Sequence, residues 1–472
     1  MIDPEVDRSI ELAVYDILLP CRMYAVDHKV AVLGRASLTT EFLLRLVKAI
    51  PGISEEDAAA FFGFNLREAS FVFAEAEGPG YIERSNGRLW LAKAGAALFR
   101  DGSPEPEIFA VEQQHREVGF DLISLAPLHP RFLTEFERGL PELAIQDEEA
   151  AGSAAARIPQ AFRRFFFEIS DRRERTKAEK KDLYSVDQVT AKNRFLGTVR
   201  TVVRARASNP SAEESDLILW RPEHEQADRP EIVSAVASFV DGLQQSRSED
   251  NAEAYDTLIS LAPEFLSDFA RRDGLAVERY YREAITRAGD VRANRKTVPI
   301  VGSLLLLENR KRLFEVINHG FRQTPNVPEL LLWLAPQVPS WNATTLLNET
   351  VAGIGKRLTE PQSDGLSERF KSICLTAPRP PRYLEKAFDT VCTSDYRRFP
   401  APLEILMVPS VAVAILVHAP IRSPRGYAVP LGFVSFDETV LQRSEKYMLD
   451  NLGTYFADED IHSKVKSAFT KS

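Results

Sequence analysis

Residues 39–101 read TTEFLLRLVKAIPGISEEDAAAFFGFNLREASFVFAEAEGPGYIERSNGRLWLAKAGAALFRD. The first apolar residues recur at helical spacing and predict a helix that stops at Pro51-Gly52. A second helix is predicted to begin at Ser54, which can cap it, and Gly63 suits the turn that ends it. A third helix is predicted over 66–76. The stretch therefore predicts three short helices in succession.

A β-hairpin is predicted directly after the third helix. Tyr81–Arg84 and Arg88–Leu91 have the residue pattern of short strands, and Asn86-Gly87 lies between them. An Asn-Gly pair between two such strands is the strongest short hairpin signal. A short helix over 94–99 is predicted to close the unit.

The order of helix, helix, turn, helix, hairpin and helix resembles the winged helix-turn-helix family. The resemblance depends on the Gly63 turn, the Gly80-Tyr81-Ile82 entry to the hairpin, the Asn86-Gly87 tip and residues 91–98. It covers about an eighth of the chain. The family implies either a third helix that enters the DNA major groove or a surface that contacts another protein.

The basic residues of this stretch are the first candidates for DNA contact. The predicted third helix carries Arg67 against Glu68 and Glu75, with Glu77 directly after it, whereas a helix that contacts phosphates should be basic. Arg84 and Arg88 flank the tip of the predicted hairpin and are better placed. DNA contact and protein docking both remain open for this unit.

The 472-residue chain is long enough for two or three domains, and its charge is divided unevenly. Residues 1–150 carry 14 Lys and Arg against 26 Asp and Glu, a net charge of −12. The remainder therefore carries +3, because the whole chain carries −9. This asymmetry indicates separate electrostatic tasks for the two parts.

A basic segment begins after an acidic connector predicted over 102–156. Residues 157–206 hold 14 Lys and Arg against six Asp and Glu. Basic residues beside the aromatic run 165–167 are typical of a nucleic-acid surface, although Phe162, Phe165 and Phe166 have the helical spacing of a core. The candidate nucleic-acid contacts here are Arg163, Arg164, Arg172, Arg173, Arg175, Lys177, Lys180 and Lys181.

The rest of the chain predicts a multidomain α+β protein. Residues 1–101 are assigned to the winged helix-turn-helix domain with an N-terminal extension, and 157–290 to a basic region of strands and helices. Its predicted strands are Leu183–Val189, Phe195–Ala207 and Leu217–Trp220, with a turn at Asn209-Pro210-Ser211, and helices follow from 229. Residues 291–472 alternate apolar strand-like runs with helices, which predicts an α/β domain with a mixed sheet.

Few residues indicate catalysis. The sequence contains no Walker A loop, no G-x-G-x-x-G and no G-x-S-x-G, and we expect neither a cofactor nor a metal. The C-terminal part loosely resembles the phospholipase D fold, whose motif is H-x-K. His462-Ser463-Lys464 has that spacing, but Phe469 stands where the family has an acidic residue. His319 and His418 are interpreted as ordinary, partly buried residues.

The remaining features indicate a cytoplasmic protein. Cys21, Cys374 and Cys392 form no metal-ligand pattern and are interpreted as buried reduced thiols. The acidic N-terminus is unlike a signal peptide, and the apolar stretch 403–421 is too interrupted to be a membrane span.

Three hypotheses about function remain. The first is a non-catalytic, DNA-binding accessory component of a bacterial DNA-processing or defence system. The second is an adaptor that uses the winged helix to dock a protein partner, with a homo-oligomer also possible. The third is a phosphodiesterase or nuclease with a degenerate phospholipase D-like fold.

Overall fold

The computed structural model describes residues 7–33, 37–99, 106, 109–145, 154–170, 181–220, 229–286, 289–324, 328–359, 370–395, 398–455, 463, 465 and 469. In residues 7–220 the strands are β1 (Ser9–Leu33), β2 (Ile53–Ser54), β3 (Ile82–Ser85), β4 (Arg88–Leu91), β5 (Phe109–Asp121), β6 (Lys181–Arg206) and β7 (Asn209–Asp216). The helices there are α1 (Leu38–Ala49), α2 (Glu55–Phe62), α3 (Leu66–Glu77), α4 (Lys93–Ala96), α5 (Ala154–Arg164) and α6 (Phe166–Ile169).

The C-terminal half continues the element order. Its strands are β8 (Gln245–Ser246), β9 (Ala270–Arg271), β10 (Gly274–Leu275), β11 (Thr297–Val301), β12 (Leu330–Leu334), β13 (Lys371–Thr376), β14 (Thr390–Thr393), β15 (Leu403–Val408), β16 (Ala412–Ala419), β17 (Arg425–Gly426) and β18 (Val429–Ser435). Its helices are α7 (Pro230–Asp241), α8 (Glu249–Leu261), α9 (Pro263–Leu266), α10 (Val277–Thr286), α11 (Leu307–Gln323), α12 (Thr345–Thr359), α13 (Arg382–Ala387) and α14 (Glu438–Asn451). Short 3-10 helices cover Glu137–Gly139, Ser267–Phe269 and Leu452–Thr454.

A long antiparallel ribbon is the main feature of the N-terminal half. The 25-residue β1 pairs with the 26-residue β6, from Ser9 opposite Arg206 to Val32 opposite Lys181. β5 and β7 flank this pair, so that the sheet order is β5-β1-β6-β7. Residues 9–33, predicted to be an N-terminal extension, thus form a central strand of this sheet.

The strand predictions for this sheet were correct only in part. The predicted strands 183–189 and 195–207 are one continuous strand, because the polar residues between them pair with β1 where that part of β6 is open to solvent. A turn does separate β6 from β7, but it lies at Ala207-Ser208 rather than at the predicted 209–211, since β7 already begins at Asn209. The predicted strand 217–220 is wrong as well, since these residues follow the end of β7.

The helix–hairpin unit, residues 37–99, is inserted at one end of the ribbon. Leu33 at the end of β1 pairs with Phe109 at the start of β5, so the chain leaves the sheet and returns at adjacent positions. The unit has a hydrophobic core of its own, formed by side chains from Leu43 to Leu89. Its three helices and hairpin lie close to the predicted bounds, and Asn86 and Gly87 both have the positive φ that the predicted turn requires.

The upper ribbon, residues 22–33 with 181–194, is covered by α5 and α6. Phe162 and Phe166 are buried there against Tyr24, Val26 and Val30. The interpretation of these two phenylalanines as core residues is confirmed. Part of the predicted acidic connector also belongs to the folded structure, because it forms β5 and buries Leu133, Phe136, Leu140 and Leu143 in the main core.

The lower ribbon, residues 9–21 with 195–206, packs on the C-terminal sheet in one continuous core. That sheet has seven strands in the order β11-β18-β16-β15-β12-β13-β14. β12, β13 and β14 are parallel and the other pairings are antiparallel, so the predicted mixed sheet is confirmed. Strands β12 and β15 have the predicted bounds, because each is a fully buried and mainly apolar run with a proline close to its ends.

Candidate docking surface of the helix–hairpin unit

Arg84 and Arg88, the arginines predicted to reach DNA from the hairpin, form hydrogen bonds within the unit. Arg84 donates through Nε and Nη2 to the two carboxylate oxygens of Glu55, at 3.0 and 2.7 Å. Its Nη1 lies 3.6 Å from a carboxylate oxygen of Glu77, and its guanidinium lies over the ring of Phe73. The hydrogen bond with Glu55 raises the pKa of Arg84 above its usual value. This cation is therefore compensated by acidic groups of the unit.

Arg88 is also used inside the unit. Its Nη1 donates to the carbonyl oxygen of Gly52 at 2.8 Å, which ties the hairpin to the turn after α1. Gly52 has a φ of +79°, and a Cβ at that position would lie 2.6 Å from the Trp90 ring. The turn, the ring and the arginine thus fix the hairpin against the helices.

The exposed side of α3 is acidic and aromatic. Arg67 is exposed on the first turn, but Glu68 and Glu75 are exposed on the same helix. Phe71, one helical turn after Arg67, is 69% exposed. The Asn65 side chain caps α3 and Glu68 completes the capping box, so the first turn of this helix is stabilised.

Helix α2 presents a second exposed ring. Phe61 is 68% exposed and lies near the C-terminal end of α2, where its ring contacts Phe62 edge to face at 5.2 Å. Glu56 and Asp57 are exposed on the first turn of α2. Further apolar side chains of the unit exposed to solvent are Leu38, Phe42, Ile50 and Trp90. We call the exposed faces of α2 and α3, with Phe61 and Phe71, the docking surface.

The docking surface cannot be predicted from the sequence pattern, for a physical reason. Phe61, Phe42 and Ile50 have the spacing of a buried helix face, and apolar spacing alone cannot show which turn of a short helix is covered. In the structure, Leu43, Leu46 and Val47 of α1 enter the core, whereas Phe42 and Ile50 do not. The signal that could have found the surface is the excess of large apolar residues over what a core of sixty residues can hold.

The remaining candidates for nucleic-acid contact lie on α5 and after it. Arg163 and Arg164 are exposed on the last turn of α5, and the Arg164 guanidinium lies 5.3 Å from the ring centre of Phe165. Arg172, Arg173, Arg175, Lys177 and Lys180 lie outside the described residues, and only the backbone of Lys181, in β6, is described. The structure thus brings Arg67, Arg84 and Arg88 together in one unit and places Arg163 and Arg164 on a separate helix.

The cysteines and histidines named in the sequence analysis are mostly packed in the interior of the protein. The three cysteines are free and buried, and burial raises the pKa of Cys21 and Cys374 well above the usual range, as expected for unreactive thiols. His462 and Lys464 lie outside the described residues. His319 is partly buried and stacks on Phe436, whereas His418 is fully buried and hydrogen-bonded to Glu404.

Wherever the chain is described, no helix has the length and apolar character to cross a membrane. The described residues also contain no cluster of three His, Cys, Asp or Glu side chains suited to a metal ion. No protein-family model, curated protein or solved structure gives a significant match to this chain.

Proposed function

We propose that this protein is an adaptor whose helix–hairpin unit docks on another protein. The observation that carries the proposal is the pair of exposed phenylalanines, Phe61 and Phe71, on the two helices that a DNA-reading unit would turn toward the duplex. Exposed aromatic side chains are typical anchors of protein interfaces. The resemblance to the winged helix-turn-helix family, which serves both DNA and protein contact, is compatible with this use.

The charges of the unit support protein rather than DNA as the partner. Residues 37–99 contain six Lys and Arg against eight Asp and Glu, a net charge of −2. Arg84 and Arg88 already bond within the unit, and the exposed groups nearest Phe71 along α3 include Glu68 and Glu75. Phosphate neutralisation supplies most of the affinity for DNA, so an acidic surface is poorly suited to it. The partner we infer has an apolar patch bordered by basic residues.

A second candidate function is nucleic-acid contact away from the unit. The exposed arginines Arg157, Arg163 and Arg164 lie on α5, which precedes the basic run 172–181 in the chain. A cluster of exposed basic residues favours the binding of nucleic-acid phosphates. The two functions are compatible, because they use different parts of the molecule.

The affinity of the full chain for labelled double-stranded DNA, measured at two salt concentrations, separates these candidates. One variant carries Arg67→Glu with Lys93→Glu on the unit, and the other reverses Arg172, Arg173, Arg175, Lys177, Lys180 and Lys181 to Glu. We expect the unit variant to bind as the wild type does. If DNA binds at all, the second variant should lose both the affinity and its salt dependence. A loss of affinity in the unit variant alone would overturn the proposed protein-docking role.

A further inference from the structure

A pocket lies where the lower ribbon meets the C-terminal sheet. Its walls come from β1, from the loops that follow β11 and β12, from the end of β16 and from the start of β18. The pocket with its open mouth measures about 390 Å³. Crevices at the carboxyl ends of sheet strands are common ligand sites in α/β structures.

Two buried hydrogen-bond donors in this pocket have no partner among the described residues. They are the indole Nε1 of Trp341 and the amide Nδ2 of Asn342. Trp341 is 4% exposed and Asn342 is 8% exposed, so water outside the pocket does not satisfy them. A buried donor without an acceptor is costly and uncommon in folded proteins. Trp341 and Asn342 both line the pocket, so an acceptor inside it can serve as the partner of the two donors.

The side-chain oxygen of Asn342 has a hydrogen-bond partner, whereas its amide nitrogen has none among the described residues. Ser303 Oγ accepts a hydrogen bond from the backbone N–H of Leu305 and donates to Asn342 Oδ1 at 3.0 Å. Asn342 itself has a φ of +51°, and Ser340 two residues before has a φ of +50°. Left-handed backbone at a serine is uncommon and persists where surrounding contacts enforce it. This loop is therefore built to place the Asn342 amide.

The facing loop is equally well fixed. Asn309 donates through Nδ2 to the carbonyl oxygens of Val301, Gly302 and Ser303 at 2.8, 3.3 and 3.0 Å. Gly302 has a φ of +85°, and a Cβ there would lie 2.8 Å from the carbonyl oxygen of Glu11 in β1. The close approach of β1 to this loop thus requires glycine and positions Ser303 beside the pocket.

The remaining polar side chains of the wall are Tyr15, Tyr427 and His418. The hydroxyls of Tyr15 and Tyr427 are 2.7 Å apart, and burial raises the pKa of Tyr15 to about 12, so both remain protonated near neutral pH. His418 Nε2 lies 2.5 Å from Glu404 Oε2, and Trp333 Nε1 donates to the other oxygen of Glu404 at 2.9 Å. Glu404 is not among the residues that line the pocket, and both of its carboxylate oxygens are bonded to other side chains.

We propose that this pocket binds a small neutral compound through a carbonyl oxygen that accepts from Trp341 and Asn342. The lining residues include no Lys or Arg, and the imidazole of His418 is already bonded to Glu404, so an anion would be buried there without a free cation beside it. Val14, Leu243, Val338 and Pro339 supply an apolar wall for a short aliphatic group. Small amides and similar neutral carbonyl compounds combine these two features.

The indole of Trp341 gives a direct readout of binding. The chain has four tryptophans, so the full-length protein labelled with 5-fluorotryptophan gives four fluorine resonances, and Trp341→Phe assigns one of them. The probes are acetamide and propionamide, with acetate and inorganic phosphate as charged comparisons. We expect both amides to shift the Trp341 resonance saturably, and the two anions to bind at least about tenfold more weakly.

Asn342→Gly removes the amide donor and retains the positive φ, so the loop keeps its backbone conformation. This variant should weaken amide binding by about tenfold, the loss expected for one hydrogen bond. Asn193→Ala, at an exposed position of β6, should leave the affinity unchanged. No saturable shift with either amide, or anions that bind as tightly as the amides, would overturn the proposal.

Discussion

At the scale of single residues, Asp16 joins the ribbon to the C-terminal sheet. Arg200 of β6 donates to both of its carboxylate oxygens, at 2.7 and 2.9 Å. The hydroxyl of Thr344 and the backbone N–H of Thr345 also donate to Asp16, each at 2.8 Å. Burial acts to raise the pKa of Asp16, but the hydrogen bonds and the charge of Arg200 outweigh it and lower the pKa overall. The buried carboxylate therefore stays charged and fully bonded.

Arg200→Met should destabilise the protein by about 2 kcal/mol, because it leaves the buried Asp16 carboxylate without its cation. Arg204→Met is the matched control. Arg204 lies on the same strand and pairs with Glu11 and Asp216 at the surface, so its loss should cost less than about 1 kcal/mol. Urea unfolding of the three proteins measures the difference. If the two substitutions lowered the free energy of unfolding equally, the buried Asp16 carboxylate would not need Arg200 for its stability.

The stabilising effect of the Asp16–Arg200 pair should depend on pH. The pKa of Asp16 is lowered by folding, so its contribution is present above the unfolded value of about 3.9 and is lost as pH falls through the folded value. The free energy of unfolding of the wild type should therefore approach that of Arg200→Met below about pH 4. Unfolding midpoints at neutral and acidic pH test this. A difference in the free energy of unfolding between the wild type and Arg200→Met that stays constant with pH would contradict this prediction.

At the scale of elements, the upper ribbon depends on α5 for its core. Phe162 is fully buried, with its ring 4.9 Å from the ring of His28 in β1. Phe167, five residues later, is 63% exposed. The two rings thus belong to one aromatic run of the sequence but have different surroundings.

Phe162→Ala should destabilise the protein by about 3 kcal/mol, since it removes a buried ring and leaves a cavity between α5 and the ribbon. Phe167→Ala should stay within about 0.5 kcal/mol of the wild type. Hydrogen exchange should show faster exchange of the α5 amides in the first variant only. Unchanged exchange in Phe162→Ala would mean that α5 is held by other contacts.

The sequence predicted short elements better than long ones. Asn86-Gly87 and Gly63 mark their turns with residues that tolerate positive φ, and both turns have it. β1 was missed because residues 12–19 are buried on both faces of the sheet and show no alternation. The pairing of β1 with β6 joins residues 149 to 197 positions apart, from Val32 with Lys181 to Ser9 with Arg206, which no local pattern encodes. The same limit applies to the docking surface, since the exposure of Phe61 depends on which elements cover it.

At the scale of the whole molecule, the ribbon separates the helix–hairpin unit from the C-terminal sheet. The lower ribbon packs on that sheet, and the upper ribbon continues for the length of residues 22–33. At about 3.3 Å per residue, this part of β1 is about 40 Å long. The helix–hairpin unit has its own core at the end of this ribbon. It can therefore contact a partner without changing the core between the lower ribbon and the C-terminal sheet.

The most direct test of the docking role is site-specific photo-crosslinking in the native cells. Benzoylphenylalanine replaces Phe71 in one variant and Phe132 in the control, since Phe132 is 80% exposed but lies outside the unit. We expect a discrete protein adduct from position 71 that withstands nuclease treatment and is absent from position 132. An adduct that nuclease removes, or the same adducts from both positions, would contradict the claim that this surface docks a protein.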